Sequence, residues 1–150
     1  MANSVTVEVK GLSELGDKLR GLSRAMNLKI AGRATNAAAQ PIKKQAKTNI
    51  QISPSVDTGA LLKSVIVKKI PRSQTQYTSE HIVTVRGRGK TSKKTGKTQN
   101  AAPHAVLVEY GTVHMPAEPF LRPAFNQEKG FAVQAMKEKI EEAINKAETA

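Results

Sequence analysis

The stretch of sequence that decides the fold runs from His104 to Phe125 and reads HAVLVEYGTVHMPAEPFLRPAF. It opens with a short apolar run, Ala105 to Val108, which predicts a buried strand. Glu109, Tyr110 and Gly111 follow this run and are predicted to end it with a tight turn. The first half of the stretch is therefore interpreted as a strand that closes in a turn.

Three prolines at positions 116, 119 and 123 control the second half of the stretch. A proline fixes its own φ and disfavours helix in the residue before it, so Met115 to Arg122 is predicted to form a stiff, non-helical strap. The strap carries Phe120 and Leu121, whose large apolar side chains need a buried place. Pro123 suits the first turn of a helix, because its missing N–H is no loss there. We interpret the whole stretch as a device that fixes one helix against one sheet.

The segments outside this stretch have the periodicities of strands and helices. Val5, Val7 and Val9 alternate with polar residues, which predicts a half-buried strand over Ser4 to Lys10. The predicted helices are a leucine-striped one over Leu12 to Met26, an alanine-rich one over Asn27 to Gln51 with a bend at Ala37 to Pro41, a short turn over Ala60 to Ser64, and a long one over Pro123 to Thr149. Two further strands, Val65 to Ile70 and Tyr77 to Arg86, are predicted to be joined by a hairpin turn at Arg72 to Gln76.

These elements predict one α+β domain over residues 1–150. Its antiparallel sheet has about four strands, packed against two N-terminal helices and one long C-terminal helix. The chain has no cysteine, which excludes disulfides, thiolate metal sites and cysteine nucleophiles. No apolar run approaches the ~20 residues that span a bilayer, and the N-terminus lacks the features of a signal peptide. We therefore expect no membrane contact and a protein made in the cytoplasm.

The charge balance favours a polyanionic or acidic partner. Twenty-four basic residues stand against 12 acidic ones, which gives a formal net charge of +12. The segment Gly87 to Pro103 has no large apolar residue and no acidic one, so it is predicted to be a mobile loop at the tip of a long hairpin. Six cations in or beside it are candidates for contact with DNA or a partner: Arg86, Arg88, Lys90, Lys93, Lys94 and Lys97. Phosphate contacts of this kind are sequence-neutral, and ordering on a partner protein is the open alternative.

Motifs that suggest catalysis do not have the context that the chemistry needs. Asp57 to Ala60 spells the triplet of aspartic proteases, but it follows a turn-rich segment instead of an apolar strand. Gly96 to Thr98 resembles a phosphate-binding loop, but Thr91 occupies the position of the required glycine. His104 and His114 flank Glu109 without the spacing of a metal site. We therefore predict no enzyme, no cofactor and no metal.

Four motifs in order resemble the small neck and tail-completion proteins of long-tailed double-stranded-DNA bacteriophages, which help to form the head–tail joint. Val9, Gly11 and the leucine stripe resemble the opening of that family, and Pro54 with the segment Thr58 to Val65 resembles its central turn. Val108 to Thr112 resembles its Val-Glu-Tyr-Gly-Thr motif, and Pro119 to Phe125 resembles its Pro-Phe-Leu-Arg-Pro-Ala-Phe motif. The long basic loop departs from the family pattern.

The resemblance implies a non-enzymatic α+β virion protein of the neck or upper tail. It implies a homo-oligomeric ring, expected to have the six-fold symmetry of the tail, between head-connector and tail proteins, with DNA passing through the lumen. The candidate structural and assembly contacts are Glu109, Tyr110, Gly111, Thr112, Phe120, Leu121 and Arg122, and Arg122 is expected to pair with Glu109 or Glu118. A stand-alone, sequence-neutral DNA-binding protein is the alternative function.

Overall fold

The computed structural model describes residues 12–20, 24–53, 59–71, 79–87 and 101–149. Within these ranges the order of elements is α1 (Leu12–Arg20), α2 (Arg24–Ile52), α3 (Gly59–Ser64), β1 (Val65–Lys69), β2 (His81–Val85), α4 (Ala101–Tyr110) and α5 (Leu121–Glu148). The α+β class is confirmed, and so are the long C-terminal helix and the short helix α3.

The two long helices α2 and α5 form the body of the molecule. Ala46 and Ile50 of α2 pack with Phe120 and Ala124 at one end, in a cluster that Leu61, Val65, Ala105 and Val108 complete. A second cluster joins α2 and α5 at the other end and contains Leu15, Ile30, Ala34, Ile140 and Ile144. Since the start of α5 meets the end of α2, the two helices run antiparallel. Small residues of α2 that are fully buried, such as Ala34 and Ala46, allow close approach of the helices.

The sheet has two strands in the described part of the chain. β1 and β2 pair antiparallel in a register from Val65 opposite Val85 to Lys69 opposite His81, and both strands contact α2. The prediction of about four strands is not supported. The predicted strand over Ser4 to Lys10 and the predicted turn over Arg72 to Gln76 lie outside the described residues.

The apolar run from Ala105 to Val108 is helical, so its prediction as a strand was wrong. The buried positions Ala105, Val108 and Glu109 have the spacing i, i+3, i+4, which is one face of a helix. A short apolar run cannot be assigned by periodicity alone. Here a strand would point Val108 and Glu109 to opposite faces, whereas the helix buries both on one side. The basic segment consequently joins a strand to a helix and is not the tip of a hairpin, and its residues 88–100 lie outside the described part.

Gly111 ends α4 with a left-handed turn. Its φ is 75°, and its N–H donates a hydrogen bond of 2.8 Å to the carbonyl oxygen of Leu107. This is the αL capping arrangement, in which the residue after the helix needs a positive φ. Thr112 and Met115 then form an antiparallel bridge that reverses the chain. The predicted turn is therefore present, but it follows a helix.

The strap that follows is anchored at three points. The N–H of Glu118 donates to the carbonyl oxygen of Val108 at 2.8 Å, and Asn49 Nδ2 donates to the carbonyl oxygen of Phe120 at 3.1 Å. The Phe120 side chain is 1% exposed and fills the main core. Pro123 lies in the first turn of α5 as predicted, although the helix begins two residues earlier, at Leu121.

Boundaries and continuity differ from the predictions in the N-terminal half. α1 ends at Arg20, and Met26 belongs to α2, which begins at Arg24. α2 continues through Pro41 as one helix. β2 is shorter than predicted and begins at His81.

Replacement of Gly111 by alanine is predicted to destabilise the fold. A Cβ at this position would lie 2.7 Å from the backbone nitrogen of Ala117, and alanine disfavours a φ of 75°. We expect the free energy of unfolding to fall by roughly 2 kcal/mol or more. Chemical denaturation of the purified protein measures this change.

Gly130→Ala is the matched control. Gly130 lies inside α5, and a Cβ there meets no atom within 4 Å. We expect this variant to gain about 0.5–1 kcal/mol, because alanine favours a helix interior over glycine. Equal effects of the two substitutions would contradict the role given to Gly111.

Candidate functional site

The side chain of Glu109 holds the first turn of α5. Its Oε2 accepts hydrogen bonds from the backbone N–H groups of Phe120 at 2.7 Å and Leu121 at 3.0 Å, and its Oε1 accepts one from the N–H of Arg122 at 3.1 Å. The first N–H groups of a helix have no partner within the helix, and Phe120, at the N-cap position, supplies no side-chain cap. A carboxylate also interacts favourably with the positive end of the helix dipole. Glu109 therefore provides the missing cap from another helix.

Arg122 completes this site from the solvent side. Its Nε lies 3.2 Å from Glu109 Oε1, one of its terminal nitrogens donates to the backbone oxygen of Glu109 at 3.1 Å, and its guanidinium carbon lies 4.8 Å from the ring centre of Tyr110. The sequence left Glu109 and Glu118 open as partners of Arg122. The structure contains the pair with Glu109, while Glu118 accepts a hydrogen bond from the Ser53 hydroxyl.

The hydrogen bonds decide the charge of Glu109. This residue is 4% exposed, and burial by itself would raise the pKa of its carboxyl. Backbone hydrogen bonds from Leu121, Phe120 and Arg122, with the Arg122 side chain, outweigh burial and leave the pKa below its ordinary value of 4.5. Glu109 is therefore ionised at neutral pH, as its capping role requires.

The outer side of α4 and the turn after it expose a group of apolar residues, which we call the α4 face. It consists of Val106, Leu107, Tyr110 and Val113, whose exposed fractions range from 45% to 97%. α4 therefore carries apolar side chains on its exposed side as well as on its buried side, and a helix that is apolar on both sides is normally covered. An exposed apolar group on a soluble domain often marks an interaction surface.

The candidate assembly residues consequently divide between the interior and the surface. Glu109, Gly111 and Phe120 stabilise the corner between α4 and α5, and Leu121 packs against the core. Tyr110, Thr112 and Arg122 are exposed.

The sequence did not predict Val106, Leu107 and Val113 as site residues. The signal that could have found Val106 and Leu107 is the apolar run from Ala105 to Val108. In a helix, Ala105 and Val108 lie on one buried face, so the two apolar residues between them are left on the exposed side.

Of the six basic candidates, the structure describes only Arg86. This residue is exposed directly after β2, and its backbone N–H donates to the carbonyl oxygen of Ser64 at 2.8 Å. Arg88, Lys90, Lys93, Lys94 and Lys97 lie outside the described residues.

The described residues do not bring together a metal or catalytic constellation. No group of three histidine, aspartate or glutamate side chains that could hold a metal ion occurs among them. His104 and His114 are exposed, and His81 Nδ1 lies 2.8 Å from the hydroxyl of Thr35. Burial and then the charge of Lys69 lower the pKa of His81, so its neutral form is favoured. No helix in the described ranges is both long and apolar enough to cross a membrane.

Glu109→Gln tests the capping carboxylate. At pH 7 we expect this variant to lose about 2 kcal/mol of stability, because it loses charged hydrogen bonds and places an amide donor beside backbone donors. Since the pKa of Glu109 is lowered by folding, its contribution is fully present above 4.5 and is lost as the pH falls through the folded-state pKa. The stability difference between the two proteins should therefore shrink in acid.

Urea denaturation at pH 7 and below pH 4.5 measures both quantities. Glu138→Gln is the control, because Glu138 is exposed and accepts only a hydrogen bond from the Gln134 side chain, and its effect should stay within about 0.5 kcal/mol. A pH-independent loss in Glu109→Gln would contradict the role of the carboxylate charge.

Comparison with known protein families identifies the family of the chain. A family model described as "Bacteriophage HK97-gp10, putative tail-component" matches residues 13–111, which are 99 of the 150 residues. The match begins in α1 and ends at the capping residue Gly111. Neither the comparison with curated proteins nor the comparison with solved structures found a match. The chain belongs to the HK97-gp10-like family of bacteriophage tail components.

Proposed function

We propose that this protein is a non-enzymatic structural component of the phage neck or upper tail. It forms a homo-oligomeric ring, with the six-fold symmetry of the tail, that helps to join the DNA-filled head to the tail. Its site of action is the virion, after synthesis in the cytoplasm of the host bacterium. The observation that carries this proposal is the match to a tail-component family across 99 of the 150 residues.

The α4 face supports an assembled state. Val113 is 97% exposed at the tip of the turn after α4, and Tyr110, three residues earlier, is 66% exposed. When another surface covers apolar groups at such positions, their removal from water lowers the free energy of the assembled state. We assign an adjacent copy of this chain as the covering surface, because a head-to-tail contact between identical copies generates a ring when the rotation closes.

The charge distribution supports a place around DNA or beside an acidic ring. α2 carries six basic residues and no acidic one: Arg24, Lys29, Arg33, Lys43, Lys44 and Lys47. α5 balances five basic residues with five acidic ones. The positive charge is therefore concentrated on α2 and in the basic segment between β2 and α4. A sequence-neutral DNA-binding protein that acts alone remains the second candidate, supported by the same cations.

Particle separation tests the proposed role. When the gene is silenced during infection, density gradients should show DNA-filled heads and separate tails, and added protein should join them. Tails that are absent or aberrant in length would move the protein to the end of the tail itself. Complete infectious particles without the protein would overturn the structural role.

The DNA-binding alternative has its own test. A salt titration of DNA binding by the isolated protein should give weak binding if the cations act only in the assembled ring. Useful affinity that falls steeply with salt would favour the stand-alone DNA-binding function, because phosphate contacts release counterions.

Val113→Asp tests the α4 face. Since Val113 is almost fully exposed, we expect the melting temperature to stay nearly constant. Joining of heads to tails should be lost, because a carboxylate would be buried without a partner in the contact. Phe131→Asp on α5 is the control, since Phe131 is 67% exposed and lies on another element. Equal activity of both variants would show that the α4 face takes no part in assembly.

A further inference from the structure

An open apolar groove of about 920 Å³ runs between α2, α5 and β2. The apolar side chains along it include Ile42 of α2, Ile82 and Val83 of β2, and Phe125, Val133 and Met136 of α5. Five consecutive residues, Ser79 to Val83, line one side of the groove. Because side chains alternate between the faces of a strand, a continuous run of this kind indicates that the edge of β2 borders the groove.

The hydrogen-bond pattern of the sheet shows which amides of β2 face that edge. The N–H of Ile70 donates to the oxygen of Glu80 at 3.0 Å, and the N–H of Arg86 donates to the oxygen of Ser64 at 2.8 Å. In an antiparallel ladder, hydrogen-bonded pairs alternate with non-bonded pairs. The even-numbered residues of β2 therefore bond to β1. The backbone groups of the odd-numbered ones, His81, Val83 and Val85, point to the opposite edge, which we call the free edge because no strand within the described ranges pairs with it.

The two outer edges of the sheet differ in their protection. β1 ends in Lys68 and Lys69, both exposed, and lysines on an edge discourage the addition of another strand. β2, from His81 to Val85, has no lysine, arginine or acidic residue. An uncharged edge beside an apolar groove is suited to accept a further strand.

α1 directs the N-terminal segment toward this groove. Leu15 belongs to the core cluster of Ile140 and Ile144, and Lys18 Nζ lies 3.8 Å from the Glu148 carboxylate, so α1 runs in the same direction as α5. Met136 both packs against the cluster that contains Leu15 and lines the groove. The first residue of α1 therefore lies near Met136, where the groove ends along α5.

The direction of β2 fits a strand that arrives from α1. His81 contacts Thr35, whereas Val83 and Val85 pack against the cluster that contains Ala46 and Ile50. β2 thus runs parallel to α2 and antiparallel to α5. A segment that leads along the groove into α1 runs parallel to α5, and it is consequently antiparallel to β2.

We propose that residues Ser4 to Lys10 of the same chain add to the free edge of β2 as a third, antiparallel strand. Val5, Val7 and Val9 alternate with polar residues, so one face of this strand is apolar and fills the groove. Seven residues in extended conformation span about 23 Å, enough to cover the five residues of β2. Because this segment is directly connected to α1, its effective concentration at the groove is higher than that of a strand from another molecule.

Residue-resolved hydrogen exchange on the purified full chain tests this pairing. We expect the amides of His81, Val83 and Val85 to be protected, like those of Ile82 and Thr84, which bond to β1. Val7→Pro removes a donor and crowds the ladder, so it should speed exchange of the odd-numbered amides at least about tenfold and leave the even-numbered ones protected. Ala2→Pro, outside the strand, is the matched control and should change neither set.

Three results of the exchange experiment overturn the proposal. The first is fast exchange of the odd-numbered amides in the full chain, which would mean that the edge is free. The second is protection that Val7→Pro leaves unchanged, which would assign the edge to another occupant. The third is protection that falls on dilution together with dissociation of an oligomer, which would assign it to the strand of a second copy.

Cross-linking keeps the proposal testable if Val7→Pro does not fold. The chain has no cysteine, so Val7→Cys with Phe125→Cys introduces one pair in the groove. A short bismaleimide should give a cross-linked monomer at high dilution. Cross-linked dimers alone, or no cross-link, would overturn the proposal. Both experiments use the isolated protein, so their outcome is independent of the proposed role in the virion.

Discussion

The hydrogen bonds between the Glu109 carboxylate and the first turn of α5 are the interaction on which the rest of the structure depends. α5 has 28 residues but no capping side chain of its own at Phe120. By supplying that cap, Glu109 fixes where the helix begins and which side of it faces α2. The same contact places Phe120 in the main core, 1% exposed, between α2, α3 and α4. Removal of the carboxylate would leave the buried N–H of Phe120 without this partner, and an unsatisfied buried donor destabilises a folded protein.

The corner between α4 and α5 has an inner and an outer surface with different tasks. Its inner surface, with Val108, Glu109 and Phe120, belongs to the core of the domain. Its outer surface is the α4 face, which meets water in the isolated chain. A rigid corner holds these apolar groups in one geometry, so a contact made through them loses little conformational entropy on binding. This division is consistent with membership of a family described as phage tail components.

Much of the fold could be predicted from residues whose pattern has one interpretation. The alanine-rich α2 follows from its composition, the strand β1 from its β-branched residues, and the long α5 from the apolar residues on one face, and Pro123 correctly indicated a helix start. The segment from Ala105 to Val108 failed because four apolar residues satisfy both a buried strand and a helix buried on one side. The sequence indicated Glu109 or Glu118 as the partner of Arg122, but the cap itself was not predictable. Glu109 lies 11 residues before Phe120, outside any local capping motif.

The groove and the α4 face could not be predicted for a related reason. Both depend on the distances between packed elements. Periodicity predicts which side of an element is buried, but it does not predict which apolar surfaces no other element covers. Val113 illustrates this point, because a valine in a turn has no strand or helix pattern that would assign it to water or to a partner. Its 97% exposure follows from the bridge between Thr112 and Met115, which turns it outward.

The separation in sequence between the partners of Phe120 has a consequence for the order of folding. Glu109 and Phe120 are 11 residues apart, whereas Asn49 and Phe120 are 71 apart. Closing the longer loop costs about 1.6 kcal/mol more in chain entropy, and a loop of about ten residues closes within 10–100 ns. We infer that the corner forms as a local unit and docks onto α2 afterwards. The α4 face then takes its shape before the domain is complete, because contacts between residues close in sequence form early.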